Sequence, residues 1–224
     1  MEVADVGPWP RTVAEAEAVQ EALRARLVAG GPGPAELRTA AGLDVAYEKG
    51  GDGLVAAVVV LDAGSLRPVE TVVVRGRATF PYVPGLFAFR ELPVLIEALR
   101  RLGTTPDLLV CDGHGLAHPK RFGLACHVGV LTGVPAVGVG KTPLVGRWDG
   151  PGPDRGDWAA LTDGGRTVGR VLRTQPRTRP VYVSVGAGID LDTASRHVLA
   201  LSPRYRLPET TRAADQVGRR ALAG

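Results

Sequence analysis

The chain has 224 residues, 45% of them hydrophobic and 5% aromatic, enough to bury the core of one ordinary globular domain spanning residues 1–224. The apolar run Val55–Leu61 is far short of the ~20 residues a membrane-spanning helix needs, and the start MEVADVGPWP lacks the basic opening and apolar stretch of a secretory signal, so a cytoplasmic protein without a membrane partner is expected. The formal charge of +4 is unevenly placed: from Arg147 onward there are 13 arginines, no lysine and 8 acidic residues, a bias that suits a polyanionic partner and that a GC-rich coding sequence also produces.

In chain order, Val13, Ala16, Val19, Leu23 and Leu27 recur at helical spacing, which predicts an amphipathic helix over Arg11–Val28, ended by Gly30–Pro34. Three strand-like stretches follow, Ala40–Tyr47, Leu54–Leu61 and Val69–Arg77. The turn clusters Lys49–Gly53 and Asp62–Ser65 separate them, so they read as an antiparallel meander. After a Pro81–Gly85 loop come a helix (Phe87–Leu102), a strand (Leu108–Cys111), a helix (Arg121–Thr132) and a strand (Ala136–Val139). A Gly-, Pro- and Asp-rich surface loop (Gly146–Gly156) precedes strands at Thr167–Arg173 and Tyr182–Val185 and helices at Asp192–Ala200 and Glu209–Leu222. The pattern predicts an α/β fold in which the antiparallel meander is followed by parallel strands in one mixed sheet, with helices on both faces.

Two acidic residues stand where acids are costly. Asp44 lies inside AAGLDVAY, a strand that should be at least half buried, and Asp112 closes LLVCD at the carboxyl end of a buried strand. Each alone is satisfied by an arginine or a helix N-terminus. Two close carboxylates repel, and a divalent cation is their ordinary remedy. Glu91, early in its helix, and Asp215, in the last helix, are further candidates, although spacing alone makes both solvated helical acids. Oxygen ligands of this kind suit Mg2+, which can activate water and offset charge on a phosphate under in-line attack. Cys111, His114, His118, Cys126 and His127 cluster in sequence without CxxC or HExxH spacing, which leaves zinc a weaker alternative, and two cysteines cannot make a disulfide framework.

The stretch DGHGLAHPKRFGLACHVGV sets several glycines between a strand and a helix, outside any GxGxxG or Walker spacing. Lys141, just past a strand in GVGK, is either a surface lysine or a group that steadies phosphate charge. Tyr82, held between prolines in PYVPG, either packs under a helix or wedges into a base stack.

With AGLDVAY, FPYVPGLFAFRE, DGHGLAHPKRFGLACHVGV, GVPAVGVGKTPLVG and, more loosely, YRLPETTRAAD, the chain resembles the endonuclease V family, the deoxyinosine 3′-endonucleases. The match runs in order from about Ala40 to Gly146. It implies a ribonuclease H-like fold and a Mg2+ site, with Mn2+ as a substitute, on Asp44, Glu91 and Asp112. Asp215 falls on a fourth position, and His118 and Lys141 fall close to the scissile phosphate. It also implies a wedge at Pro81, Tyr82, Val83 and Pro84, and backbone at Gly85, Gly113, Gly123 and Gly138 around a flipped hypoxanthine. The implied reaction on DNA containing deoxyinosine or other deaminated bases cuts the second phosphodiester bond 3′ of the lesion and leaves the base in place. A monomer is expected. GAGID at Gly186–Asp190 departs from the Gly-Asn the family often carries after its late strand. The alternatives are an inosine-directed ribonuclease of the same fold, a non-catalytic damage-binding protein and, more distantly, a small-molecule metallohydrolase.

Overall fold

In the computed structural model, which describes residues 1–5 and 7–223, helix α1 (Val13–Arg24) opens on Thr12, whose side chain and that of Glu15 cap each other's backbone N–H. Val6 and Gly224, included in the single expected domain, lie outside the described residues. Strands β1 (Thr39–Tyr47), β2 (Gly53–Asp62) and β3 (Pro68–Arg77) form the expected antiparallel meander. β2 is buried continuously from Leu54 to Leu61, as its unbroken Val, Ala and Leu content demands of a strand covered on both faces.

Helix α2 (Ala88–Arg100) leads to β4 (Leu108–Cys111), and α3 (Leu124–Thr132) leads to β5 (Ala136–Gly140). β4 lies parallel to β1, and β5 parallel to β4. Strands β6 (Trp158–Asp163), β7 (Arg166–Leu172) and β8 (Val181–Ala187) complete an eight-stranded sheet in the order β3-β2-β1-β4-β5-β8-β7-β6, with β8, β7 and β6 joined antiparallel. The mixed α/β sheet is thus as expected, with one strand more than the sequence shows. Within WAALTD of β6 only Leu161 is fully buried, so period-two burial is too weak to mark a strand. Helix α3 also starts later than Arg121, because that residue holds a left-handed φ of 55°.

Alternation along β1 sorts the core. Ala41 and Leu43 join Phe89, Leu92 and Val128 beneath α2 and α3, with α1 outside. Ala40 joins Ala194 and Val198 beneath α4 (Leu191–Ala200) on the opposite face. That second face also carries α5 (Glu209–Ala223), so helices cover both faces. Gly42 permits the contact: a Cβ there would lie 2.0 Å from the Thr210 carbonyl oxygen, so only glycine lets α5 lie directly on β1. Among the described residues no helix is long and apolar enough to cross a membrane.

Several C-terminal arginines serve the fold itself. Arg155 donates to the carbonyls of Thr174, Ser202 and Leu199, and Arg206 to those of Lys141 (2.5 Å) and Pro180 (2.9 Å). The basic excess is therefore in part a set of main-chain clamps.

Candidate active site

The ladder between β1 and β4 ends at the pair Leu43 and Cys111, where the Asp112 N–H donates to the Leu43 carbonyl (3.2 Å). Asp44 and Asp112 are the next residues on their strands, and both face the same open cleft of about 700 Å³ with Lys141 and Asp215. Asp44 follows the parity of Ala40 and Gly42 and so takes the α5 side, where Asp215 comes from α5. Tyr47, of opposite parity, takes the α2 side, and its hydroxyl donates to Glu91 Oε1 at 3.0 Å. The acids thus approach the strand ends from both faces of the sheet.

Their electrostatics follows from burial and proximity. Burial, and then the charge of Asp112 beside it, push the Asp44 carboxyl up to about 7, with Asp215 adding to the rise and Lys141 opposing it. Burial pushes Glu91 up to about 8; the Tyr47 hydroxyl opposes this, while Asp44 and Asp112 reinforce it. Lys141 forms an ion pair with Asp112. Asp112 thus engages Lys141 and Glu91 engages Tyr47, and among the described residues no three of His, Cys, Asp or Glu stand grouped to hold one ion as they are. The donor set nonetheless fits a hard cation: it offers carboxylate oxygens only, buried and close enough together that protonation is favoured in the metal-free protein. Soft ligands are placed elsewhere. Cys111 and Cys126 are buried free thiols, and the His127 ring lies edge-on between Phe89 (5.0 Å) and Phe122 (4.5 Å).

Asp112 also borders a second cavity, about 350 Å³, walled by Tyr82, Pro84, Gly85, Gly113, His118 and Gly123 among others. Tyr82 stands at its rim, 71% exposed, with its ring 5.4 Å from that of Phe87. Burial first, and the neighbouring His114 next, lower His118 to about 4, so this imidazole is neutral at pH 7. Pro81, Val83 and Gly138 do not line the cavity. Gly138 lies behind it: a Cβ there would meet the Gly113 carbonyl and the Gly115 nitrogen at 2.7 Å, so its lack of a side chain lets β5 support the pocket floor. Sequence reading missed Tyr47 and the Thr142–Leu144 segment, which closes the cavity from the far side. Tyr47 carries a signal in its parity, three residues after Asp44 on one strand; Thr142–Leu144 carries none.

A mixed sheet whose first five strands run in the order β3-β2-β1-β4-β5, with acidic residues just past the paired ends of β1 and β4, has the layout of a ribonuclease H-like nuclease. Residues 21–216 match the family model for endonuclease V, and the chain belongs to that family. It is 57% identical to the endonuclease V of Nocardia farcinica over 213 residues, covering 95% of this chain and 94% of that one. The crystal structure of endonuclease V from Streptomyces avermitilis superposes with a TM-score of 0.92 at 51% identity, covering 100% of this chain and 98% of the other. The fold extends to the Ciona intestinalis endonuclease V, solved in complex with a 24mer DNA containing an inosine followed by a ribo-adenosine (TM-score 0.81, 24% identity, 94% and 98% covered).

Proposed function

We propose that this chain is a monomeric, cytoplasmic DNA-repair endonuclease that recognises deaminated bases, deoxyinosine above all, and hydrolyses the second phosphodiester bond on the 3′ side of the lesion with Mg2+, or Mn2+ in its place. The observation that carries the reading is the position of Asp112, which borders both the acidic cleft and the glycine-walled cavity. A base lodged in the cavity leaves its own strand running past the carboxylates.

Asp44, Glu91 and Asp112 would hold the Mg2+, with Asp215 beside them, and the ion would supply Lewis-acid activation of water and neutralise phosphate charge. Water attacks the phosphorus in line and the 3′-hydroxyl departs, its bond to phosphorus breaking as the new one forms. Lys141 steadies charge on the phosphate oxygens, and its pairing with Asp112 sets it at the edge of the cleft. Tyr82, flanked by Pro81 and by Val83–Pro84, fills the gap left when the base leaves the stack. The backbone of Gly85, Gly113 and Gly123, supported by Gly138, reads the hypoxanthine edge, and neutral His118 lies on the same wall.

The inosine-containing DNA bound to the Ciona intestinalis protein supports the substrate class. The test is to incubate the protein with matched deoxyinosine DNA and inosine RNA, with and without Mg2+, and to map the product ends. The expected product is a Mg2+-dependent nick one nucleotide beyond the lesion's own 3′ phosphate, made faster in DNA. Faster cutting of the RNA would transfer the assignment to an inosine-directed ribonuclease. Tight binding without any nick would make the chain a damage-binding protein.

A further inference from the structure

A smaller cavity of about 130 Å³ adjoins the acids on the α5 side, walled by Asp112, Lys141, Thr211, Arg212, Asp215 and Arg219 among others. It shares Asp112 with the glycine-walled cavity and no other wall residue. At this size it is below the ~300 Å³ at which pockets take whole drug-sized ligands, and its side chains are almost wholly polar or charged. Of its cations, Lys141 is paired with Asp112, and Arg219 donates to Asp215 at 2.8 Å.

Arg212 is held differently. It too is ion-paired, its buried Nε lying 3.4 Å from Glu209 Oε2 one helical turn back, but among the described residues that Nε makes no hydrogen bond. Its guanidinium carbon also lies over the ring of Tyr205, 3.6 Å from the centroid. Tyr205 is 48% exposed, so the stack borders solvent. A guanidinium held against an aromatic face is pre-organised for contact with phosphate oxygens and loses little side-chain freedom on binding. The adjacent carboxylates repel a free anion, which favours a phosphate delivered as part of a chain already engaged at the cleft.

Building on the function proposed above, we infer that Arg212, backed by Tyr205, forms a subsite for a backbone phosphate of the cleaved strand, next to the phosphate that is hydrolysed. The contact is to the backbone and carries no base preference.

The test measures binding of a deoxyinosine duplex, with Ca2+ replacing Mg2+ to prevent cutting, as a function of salt and of single methylphosphonate substitutions along the lesion strand. Arg212→Gln should reduce the slope of log K against log salt by about one. One methylphosphonate beside the cut should weaken binding by wild type and leave the variant indifferent. A variant that keeps the full slope and the full sensitivity at every position would overturn the subsite. If Arg212→Gln melts early, Arg212→Lys takes its place. It should keep the slope yet lose part of the sensitivity at that one phosphate, and unchanged sensitivity there would equally overturn the subsite. The same titrations against an undamaged duplex report separately on the proposed function, because absence of any deoxyinosine preference in wild type contradicts that reading and not the phosphate contact.

Discussion

Asp44 and Asp112 line one cleft, each one residue past the last paired couple of the β1–β4 ladder, and the charge of Asp112 adds to the burial that raises the Asp44 carboxyl. Parallel pairing places the two strand ends level, so two acids more than sixty positions apart in sequence meet because Leu43 and Cys111 are in register. The proximity has a thermodynamic signature in the protein without metal.

Asp44, pushed up to about 7, and Glu91, pushed up to about 8, remain protonated in the folded chain where the unfolded chain has ionised them. Between about pH 4 and those values the native state binds more protons, so this contribution to stability declines as pH rises. Buried His118 and His127, with lowered values, act in the opposite sense below about pH 6.5 and cancel when a variant is compared with wild type. In EDTA, Asp44→Asn should therefore stabilise the protein increasingly from pH 5 to pH 8, by on the order of 2 kcal/mol at the upper end, or several degrees of melting temperature. Melting curves whose difference does not change with pH would contradict the burial of these carboxyls beside one another.

Tyr47 holds Glu91 through its hydroxyl alone, since Tyr47→Phe keeps the ring against Phe87 (6.2 Å). Loss of the donor raises the Glu91 carboxyl further and frees its orientation. The expected result is about a tenfold higher Mg2+ requirement for cleavage at pH 7, the usual cost of losing an outer-shell partner, with the melting temperature nearly unchanged. A Mg2+ titration that superposes on wild type would remove Tyr47 from the site.

The central sheet was legible because its strands obey simple rules. LVAAVVVL is apolar throughout and buried throughout, AGLDVAY is buried over its first half, and the turn clusters between the strands fix the meander. Asp44 and Asp112 stood out as acids in apolar strands, a cost visible without coordinates. Glu91 did not, because its burial is tertiary, with Tyr47 of β1 against it, and helical periodicity contains no trace of that. β6 hid in a Gly- and Asp-rich stretch; it pairs with β7 across the Asp163–Gly164–Gly165 turn, and Asp163 at its end meets Arg121 in a long-range ion pair. Arg206, which clamps the Lys141 carbonyl from the loop before α5, is invisible for the same reason.

Tyr82, largely exposed, contributes little to stability. Tyr82→Ala should leave the melting temperature within a degree or two while lowering the preference for deoxyinosine over undamaged DNA by tenfold or more, on the scale of ~1–3 kcal/mol for an aromatic–base stack. Competition binding with the two duplexes checks it; an unchanged ratio would assign the ring a packing role.

Gly42→Ala forces a methyl into the Thr210 carbonyl and must lift α5, with Asp215, from β1. A loss of about 3 kcal/mol or more is expected, beyond ordinary overpacking because the obstacle is backbone. Gly150→Ala, whose Cβ meets nothing within 4 Å, is the inert control. Equal melting temperatures for the two variants would contradict the direct seating of α5 on the strand.

The most direct measurement is single-turnover nicking of a deoxyinosine duplex by wild type and by Asp112→Asn across a Mg2+ titration. The expected result is a saturable, Mg2+-dependent nick by wild type and at least a hundredfold slower reaction by the variant, since loss of a charged ligand removes several kcal/mol of transition-state stabilisation. Asp112→Asn turning over at the wild-type rate would contradict a cation-bearing carboxylate centre at the ends of β1 and β4.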